Sequence, residues 1–137
     1  MNRRLFNDMN QEEQFWYAKA VVAIIVADGR IDDAEIKYLR TIFDFFTKSS
    51  VQFEELEQYT QGTKKVKIEK ITTIDAQKAN DILKDCTSVA ISDGEFHPKE
   101  EKIIRKIGTS MGIETSTIEH IIQWGRAQLA YIFAISI

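Results

Sequence analysis

Along most of this chain apolar residues recur at spacings of three and four, the period of a helix face. Residues 11–27 put Phe15, Val22 and Val26 on one stripe and turn apolar all round from Ala20 onward, which predicts a helix central in its fold. Residues 33–47 place Ile36, Leu39, Phe43 and Phe46 on one side, with Lys37, Arg40, Thr41 and Asp44 on the others, a strongly amphipathic helix. A shorter, acidic helix over 50–60 carries Val51, Leu56 and Tyr59. Residues 75–91 give a face of Ala79, Ile82, Leu83, Cys86, Val89 and Ala90, and residues 98–111 give Ile103, Ile104, Ile107 and Met111. Gly112 then stands where a helix-terminating glycine would. "STIE", from Ser116 to Glu119, has capping-box spacing ahead of a helix bearing Ile118, Ile121, Ile122 and Trp124. Only "QGTKKVKIEKITT" breaks the period, and its Val66 and Ile68 fit either an extended segment or a short helix.

Helices in this number, joined by short connections, predict an all-α fold, a compact bundle of six to eight helices over a single domain 1–137. One proline and six glycines in 137 residues argue against the many tight turns of an all-β fold. The formal charge of −3 gives no global attraction to nucleic acid. Lys64, Lys65, Lys67 and Lys70 are the one basic cluster, without the interleaved aromatics of a nucleic-acid surface, and read as a solvated connector. Cys86 is the only cysteine, so no internal disulfide forms and a reducing compartment suits the chain. The amino-terminal residues lack a signal-peptide apolar stretch. The apolar ending "LAYIFAISI" is too short to span a bilayer, so no transmembrane segment is expected. That ending reads as the close of the last helix against the core, or else as a tail that docks a partner or touches a membrane.

One unit occurs twice. "ADGRIDDAEIKYLRTI" and "SDGEFHPKEEKIIRKI" align at an offset of 65 residues, pairing Asp28 with Asp93, Gly29 with Gly94, Glu35 with Glu100, Lys37 with Lys102, Arg40 with Arg105 and Ile42 with Ile107. These are six identities in the fifteen positions 28–42. The pattern predicts an internal duplication of a helix-corner-helix unit about a pseudo-twofold axis, with repeats near 11–47 and 75–112 followed by a carboxyl-terminal helix and tail over 116–137.

Helix-end chemistry explains much of each corner. Gly29 suits a left-handed position closing the first helix. Asp32 suits the N-cap of the next, with Glu35 as its capping-box partner and Ile31 and Ile36 as a hydrophobic staple. In the second copy Pro98 fits the first helical position and Glu100 again falls third, while His97 makes a poor cap. Asp28 and Asp93 are not explained this way. Each carboxylate falls at a helix carboxyl end, where the helix dipole disfavours it by about 0.3–1 kcal/mol. A compensating positive charge is expected: a side chain such as Arg40 or Arg105, or a metal ion.

Asp-Gly-x-Ile-x-x-x-Glu is the second half of an EF-hand loop. The first half is absent, since its ligand positions fall on Ile24 and Val26, and on Val89 and Ile91. A complete EF-hand is excluded in both copies. Two half-sets facing each other would instead offer Asp28, Glu35, Asp93 and Glu100 to one or two hard cations such as Ca²⁺ or Mg²⁺.

The two quoted motifs, the second extended by "GTSMGI", resemble the paired motifs of the TerB-like domain, known from tellurite-resistance protein B and from the front of some J-domain co-chaperones. The likeness covers about residues 11–113. It implies a helical bundle with internal pseudo-symmetry and an acidic surface that binds divalent cations. It also implies a stress-response role beside protein partners, including membrane-associated complexes, in the cytoplasm or at the inner face of the membrane. Carried over by position, the metal ligands are Asp28, Glu35, Asp93 and Glu100, with Asp32 and His97 as outer contributors; His97 in place of an aspartate makes the pair unequal.

Enzyme chemistry finds little footing. No glycine-rich phosphate loop, Cys-x-x-Cys or nucleophile–base pair is present. Cys86 lies on an apolar face, His120 reads as a surface or capping residue, and Cys86, His97 and His120 lack zinc-site spacing. Trp16 and Trp124 read as core or rim aromatics. The expected role is a non-enzymatic, cation-binding accessory domain; the alternative is a metal-free interaction module, similar to a co-chaperone, whose acidic corner docks a basic partner.

Overall fold

The computed structural model describes the backbone of residues 1–136 and their side chains except at 132, 133, 135 and 136. Among the described residues there are seven helices and no strand: α1 (Arg3–Asn7), α2 (Gln11–Ile25), α3 (Asp33–Asp44), α4 (Val51–Gln61), α5 (Ala76–Ala90), α6 (Pro98–Ser110) and α7 (Thr115–Ser136). The all-α bundle expected from the periodicity is therefore present.

Helix α2 is the hub. Tyr17, Ala18, Ala20, Val21, Val22, Ile24 and Ile25 are fully buried, as its all-round apolar sequence requires. It packs on α4, α5 and α6, while α5 also meets α6 and α7. Ile82, Leu83 and Cys86 of α5, Ile104 and Ile107 of α6, Leu56 of α4 and Ile122 of α7 complete the core.

Two glycines set how closely α7 approaches. A Cβ on Gly108 would lie 2.7 Å from Ile118 Cγ1, and one on Gly125 would lie 2.4 Å from Thr87 Cγ2. Gly125 also faces the Phe96 ring, so α7 presses on the loop that precedes α6.

Several details differ from the sequence reading. The short helix α1 was not expected; Asn2 caps it through Arg4 N–H and Leu5 N–H, and Phe6 buries it. The core stripe of α3 is Glu35, Leu39 and Ile42, while Ile36 is 36% exposed and Phe43 only half-buried. Ser116 is no N-cap. Helix α7 starts one residue earlier, and Ile118 N–H already bonds the Glu114 carbonyl. Val51 is exposed at the first turn of α4, where Ser50 is the cap. The ambiguous connector is extended: residues 65–72 run without turn or bend.

The apolar ending continues α7 to Ser136; Leu129 is half-buried, Ala130, Tyr131 and Ala134 are exposed, and the other side chains beyond 131 lie outside the described residues. No helix among the described residues is long and apolar enough to cross a membrane.

Candidate functional site

The two Asp-Gly corners share several of their hydrogen bonds. Helix α2 is capped by Val26 and α5 by Ile91, and Gly29 and Gly94 follow at φ 79° and 89°. These are left-handed values that glycine adopts without strain. Asp28 Oδ1 accepts from Arg30 N–H at 3.0 Å, and Asp93 Oδ1 accepts from Glu95 N–H at 3.0 Å. Glu35 Oε1 accepts from Asp32 N–H at 3.1 Å, and Glu100 Oε1 from His97 N–H at 2.9 Å. Helix bounds keep the same spacing: α2 and α5 start and end 65 residues apart (11 to 76, 25 to 90), and α3 and α6 start 65 apart (33 to 98). The surroundings are less alike, since α2 packs on α6 while α3 makes at most slight contact with α5.

His97 caps α6 better than its type suggests. Its Nδ1 accepts from Lys99 N–H at 3.1 Å, so the imidazole does the work that the Asp32 carboxylate does for Glu35 N–H at 2.9 Å. This requires an unprotonated Nδ1 and leaves Nε2 as the free ring nitrogen.

The two glutamates are buried, with 3% of Glu35 and 1% of Glu100 exposed. Neither is neutralised by a cation among the described residues. Burial pushes the Glu35 carboxyl up to about 7, with the negative charges of Asp32, Asp28 and Asp93 adding to it against the Asp32 N–H bond. Burial pushes Glu100 higher, to about 8, with Asp93, Asp28 and Glu35 adding against the His97 N–H bond. Both corners therefore lie within each other's electrostatic reach. The second oxygen of each glutamate accepts no hydrogen bond from the described residues, yet neither is a buried orphan, so both touch solvent.

The arginines suggested as counter-ions are elsewhere. Arg105 pairs with Glu119 at 2.7 Å and with Glu101 at 3.5 Å, and Arg40 is exposed with no ion pair among the described residues. Asp28 and Asp93 thus lie past helix carboxyl ends with a local N–H bond and no ion pair among the described residues. The same four carboxylates do not form a chelate as they stand: among the described residues no three Asp, Glu, His or Cys side chains are close enough to hold one metal ion.

Beside Asp93 lies a cleft of about 520 Å³ that the sequence did not reveal, lined by Tyr38, Ile91, Trp124 and Gln128 among others. Tyr38 and Trp124 are half-buried, and neither the Tyr38 hydroxyl nor the Trp124 indole N–H bonds another described residue. These aromatics come from α3 and α7, 86 residues apart (38 to 124), so no local pattern could join them. A larger open groove, about 1340 Å³, runs between α1 and α5; its Asp8 and Lys78 pair with each other at 3.1 Å. Cys86 is buried and its thiol is raised by burial, which removes it from nucleophilic chemistry.

An all-helical bundle with two capped Asp-Gly corners is the kind of domain seen here. The sequence model of the family described as Tellurite resistance protein TerB matches residues 22–123, and the chain belongs to that family. No curated protein and no solved structure matches it.

Proposed function

We propose that this chain is a non-enzymatic accessory domain of the tellurite-resistance, stress-response type that takes up a divalent cation, Ca²⁺ or Mg²⁺, between its two acidic corners. Asp28, Glu35, Asp93 and Glu100 are the ligands, with Asp32 and His97 supporting them as N-caps. One observation carries this reading: Glu100 is driven up to about 8 by burial and by three other carboxylates from both corners, with no cation beside them among the described residues. Un-neutralised, hard oxygen donors in that number favour a hard cation. Each glutamate has one oxygen fixed by a backbone N–H and one open to solvent, which suits a ligand held in place before the ion arrives. The donor set fits in chemistry and charge, while its present spacing demands that carboxylates turn inward on uptake. Matching hydrogen bonds and helix bounds at an offset of 65 support a duplicated unit as the scaffold. The free, buried Cys86 thiol suits a reducing, cytoplasmic setting, and protein partners at the inner membrane face fit the family.

Calorimetric titration with Ca²⁺, Mg²⁺ and Mn²⁺ tests this. Asp28→Asn with Asp93→Asn should abolish uptake and leave the fold intact, since asparagine Oδ1 still accepts from Arg30 and Glu95 N–H. Uptake that survives the double change would mean the ligands are others.

A second reading draws on the cleft beside Asp93. Tyr38 and Trp124 next to an unpaired carboxylate suit a lysine or arginine from a partner, held by cation–π contact and charge. On this reading the chain is a metal-free interaction module. A chain that binds no divalent cation, and that binds a basic peptide lost on Trp124→Ala, would establish it over the first.

A further inference from the structure

The connector between α4 and α5 has features that neither reading uses. Lys65, Lys67 and Glu69 are exposed, while Val66 and Ile68 are half-buried against the core, the alternation of a strand with one wet face. The body holds the segment at its far end. Trp16 Nε1–H donates to the Glu69 carbonyl at 2.7 Å, Ile71 N–H donates to the Ser110 carbonyl at 2.9 Å, and Thr73 Oγ1–H donates to Glu13 Oε2 at 2.8 Å.

In an extended chain the N–H and C=O of residues i and i+2 point to the same edge. Glu69 and Ile71 thus mark the edge turned to the body. The opposite edge carries the N–H and C=O of Val66, Ile68 and Lys70, and none of these bonds another described residue. It is a strand edge without a neighbouring strand, a template for pairing with another chain. Lys64 is taken by Glu55 at 2.6 Å, but Lys65, Lys67 and Lys70 have no ion pair among the described residues.

We propose that residues 66–70 form a docking edge that takes an extended, acidic segment of a partner protein by strand addition. The backbone groups supply the pairing, and Lys65 and Lys67, two residues apart on the wet face, select acidic side chains at alternate positions. The same lysines repel this edge in a second copy of the chain, so like does not pair with like. This site lies apart from the acidic corners and stands or falls independently of them.

The test is fluorescence anisotropy with a labelled ten-residue peptide alternating Glu and Thr, beside two versions N-methylated at every second amide, one in each register. Saturable binding is expected, abolished by methylation in one register and retained in the other. Amide exchange at Val66, Ile68 and Lys70 should slow when the peptide binds, and Lys65→Glu with Lys67→Glu should weaken it by about tenfold or more with an unchanged helical spectrum. Equal binding of both methylated peptides, or of a scrambled peptide of the same charge, would overturn strand addition in favour of charge attraction alone. Slow exchange at these amides in a self-associating chain without peptide would make a second copy the occupant and overturn the proposal, as would no binding.

Discussion

Glu35 and Glu100 hold equivalent places at the two corners. Each is buried, each accepts a backbone N–H from the N-cap three residues before it, and the Glu35 charge helps to push Glu100 to its raised value. Each also heads a core stripe, Glu35–Leu39–Ile42 in α3 and Glu100–Ile104–Ile107 in α6, at spacings of four and three. The fold thus buries an acid where the helix period alone would put an aliphatic residue.

A consequence is an unusual pH dependence of stability. A carboxyl raised from 4.5 to about 7 or about 8 in the folded chain binds more protons there than in the unfolded chain. Stability from this source is complete below the unfolded value, falls as pH rises through the window from 4.5 upward, and is gone above the folded values. In metal-free buffer with chelator, the urea midpoint should be higher near about pH 5.5 than near about pH 8.5. Glu35→Gln with Glu100→Gln keeps Oε1 as the cap acceptor and removes both titrations. That variant should lose most of the difference between the two pH values and gain stability at the alkaline one. A parent midpoint that rises with pH across this range would mean the glutamates are ionised at little cost.

Cation uptake, on the first reading of function, is coupled to the same protons. An ion needs both glutamates as carboxylates, so binding near pH 7 must release protons, mostly from Glu100. Apparent affinity should therefore climb from about pH 6 to about pH 8.5, and the titration enthalpy at neutral pH should follow the ionisation enthalpy of the buffer. Affinity flat across that range, with the same heat in every buffer, would remove the glutamates from the ligand set. Uptake should also offset the alkaline loss of stability, because an ion bound only by the folded chain stabilises it by mass action.

The caps at the two corners are a carboxylate and an imidazole, and they serve different N–H groups of their helices. Asp32→Ala and His97→Ala each remove one acceptor from a helix start, at about 1 kcal/mol apiece. His97→Ala should therefore lower the urea midpoint, and His97→Asp should restore it by supplying a carboxylate cap at the same helix start. An unchanged midpoint would mean the histidine contact contributes nothing.

Much of this was legible in the sequence because helix signals are local. The faces of α5 and α6, a left-handed Gly29 (though three residues past the Val26 cap rather than next to it), Asp32 as cap and Pro98 at a helix start all follow from neighbours within a turn or two. Membership of the TerB family was legible too, from the two motifs. What was not legible depends on tertiary placement. Ile36 looked like core and is at the surface, because packing rotates α3 so that Glu35 faces inward. The clue was present in the four-three spacing from Glu35 to Leu39 and Ile42, but capping already accounted for the glutamate. Arg105 was a plausible partner for Asp93 until α7 brought Glu119 to it. The Tyr38–Trp124 cleft joins α3 to α7, a distance along the chain that no periodicity spans. His97 was undervalued because the ring nitrogen reaches Lys99 N–H rather than the residue that a carboxylate cap serves.

The contact of Gly125 with α5 is where the last helix fixes the second corner. Thr87 is fully buried and its hydroxyl donates to the Leu83 carbonyl at 2.8 Å, so its methyl is locked toward α7. A Cβ on Gly125 would meet that methyl at 2.4 Å and the Phe96 ring at 3.3 Å. Gly125→Ala should therefore destabilise by about 1–3 kcal/mol although alanine is the better helix former. Phe96 lies between Asp93 and His97, so the displaced α7 should also weaken any ligand bound at that corner. Thr87→Ser removes the methyl and keeps the hydroxyl. Added to Gly125→Ala it should recover most of the loss, a favourable coupling in a double-mutant cycle of urea midpoints. If instead the two losses simply add, the close approach is relaxed elsewhere and α7 does not anchor the corner through this contact.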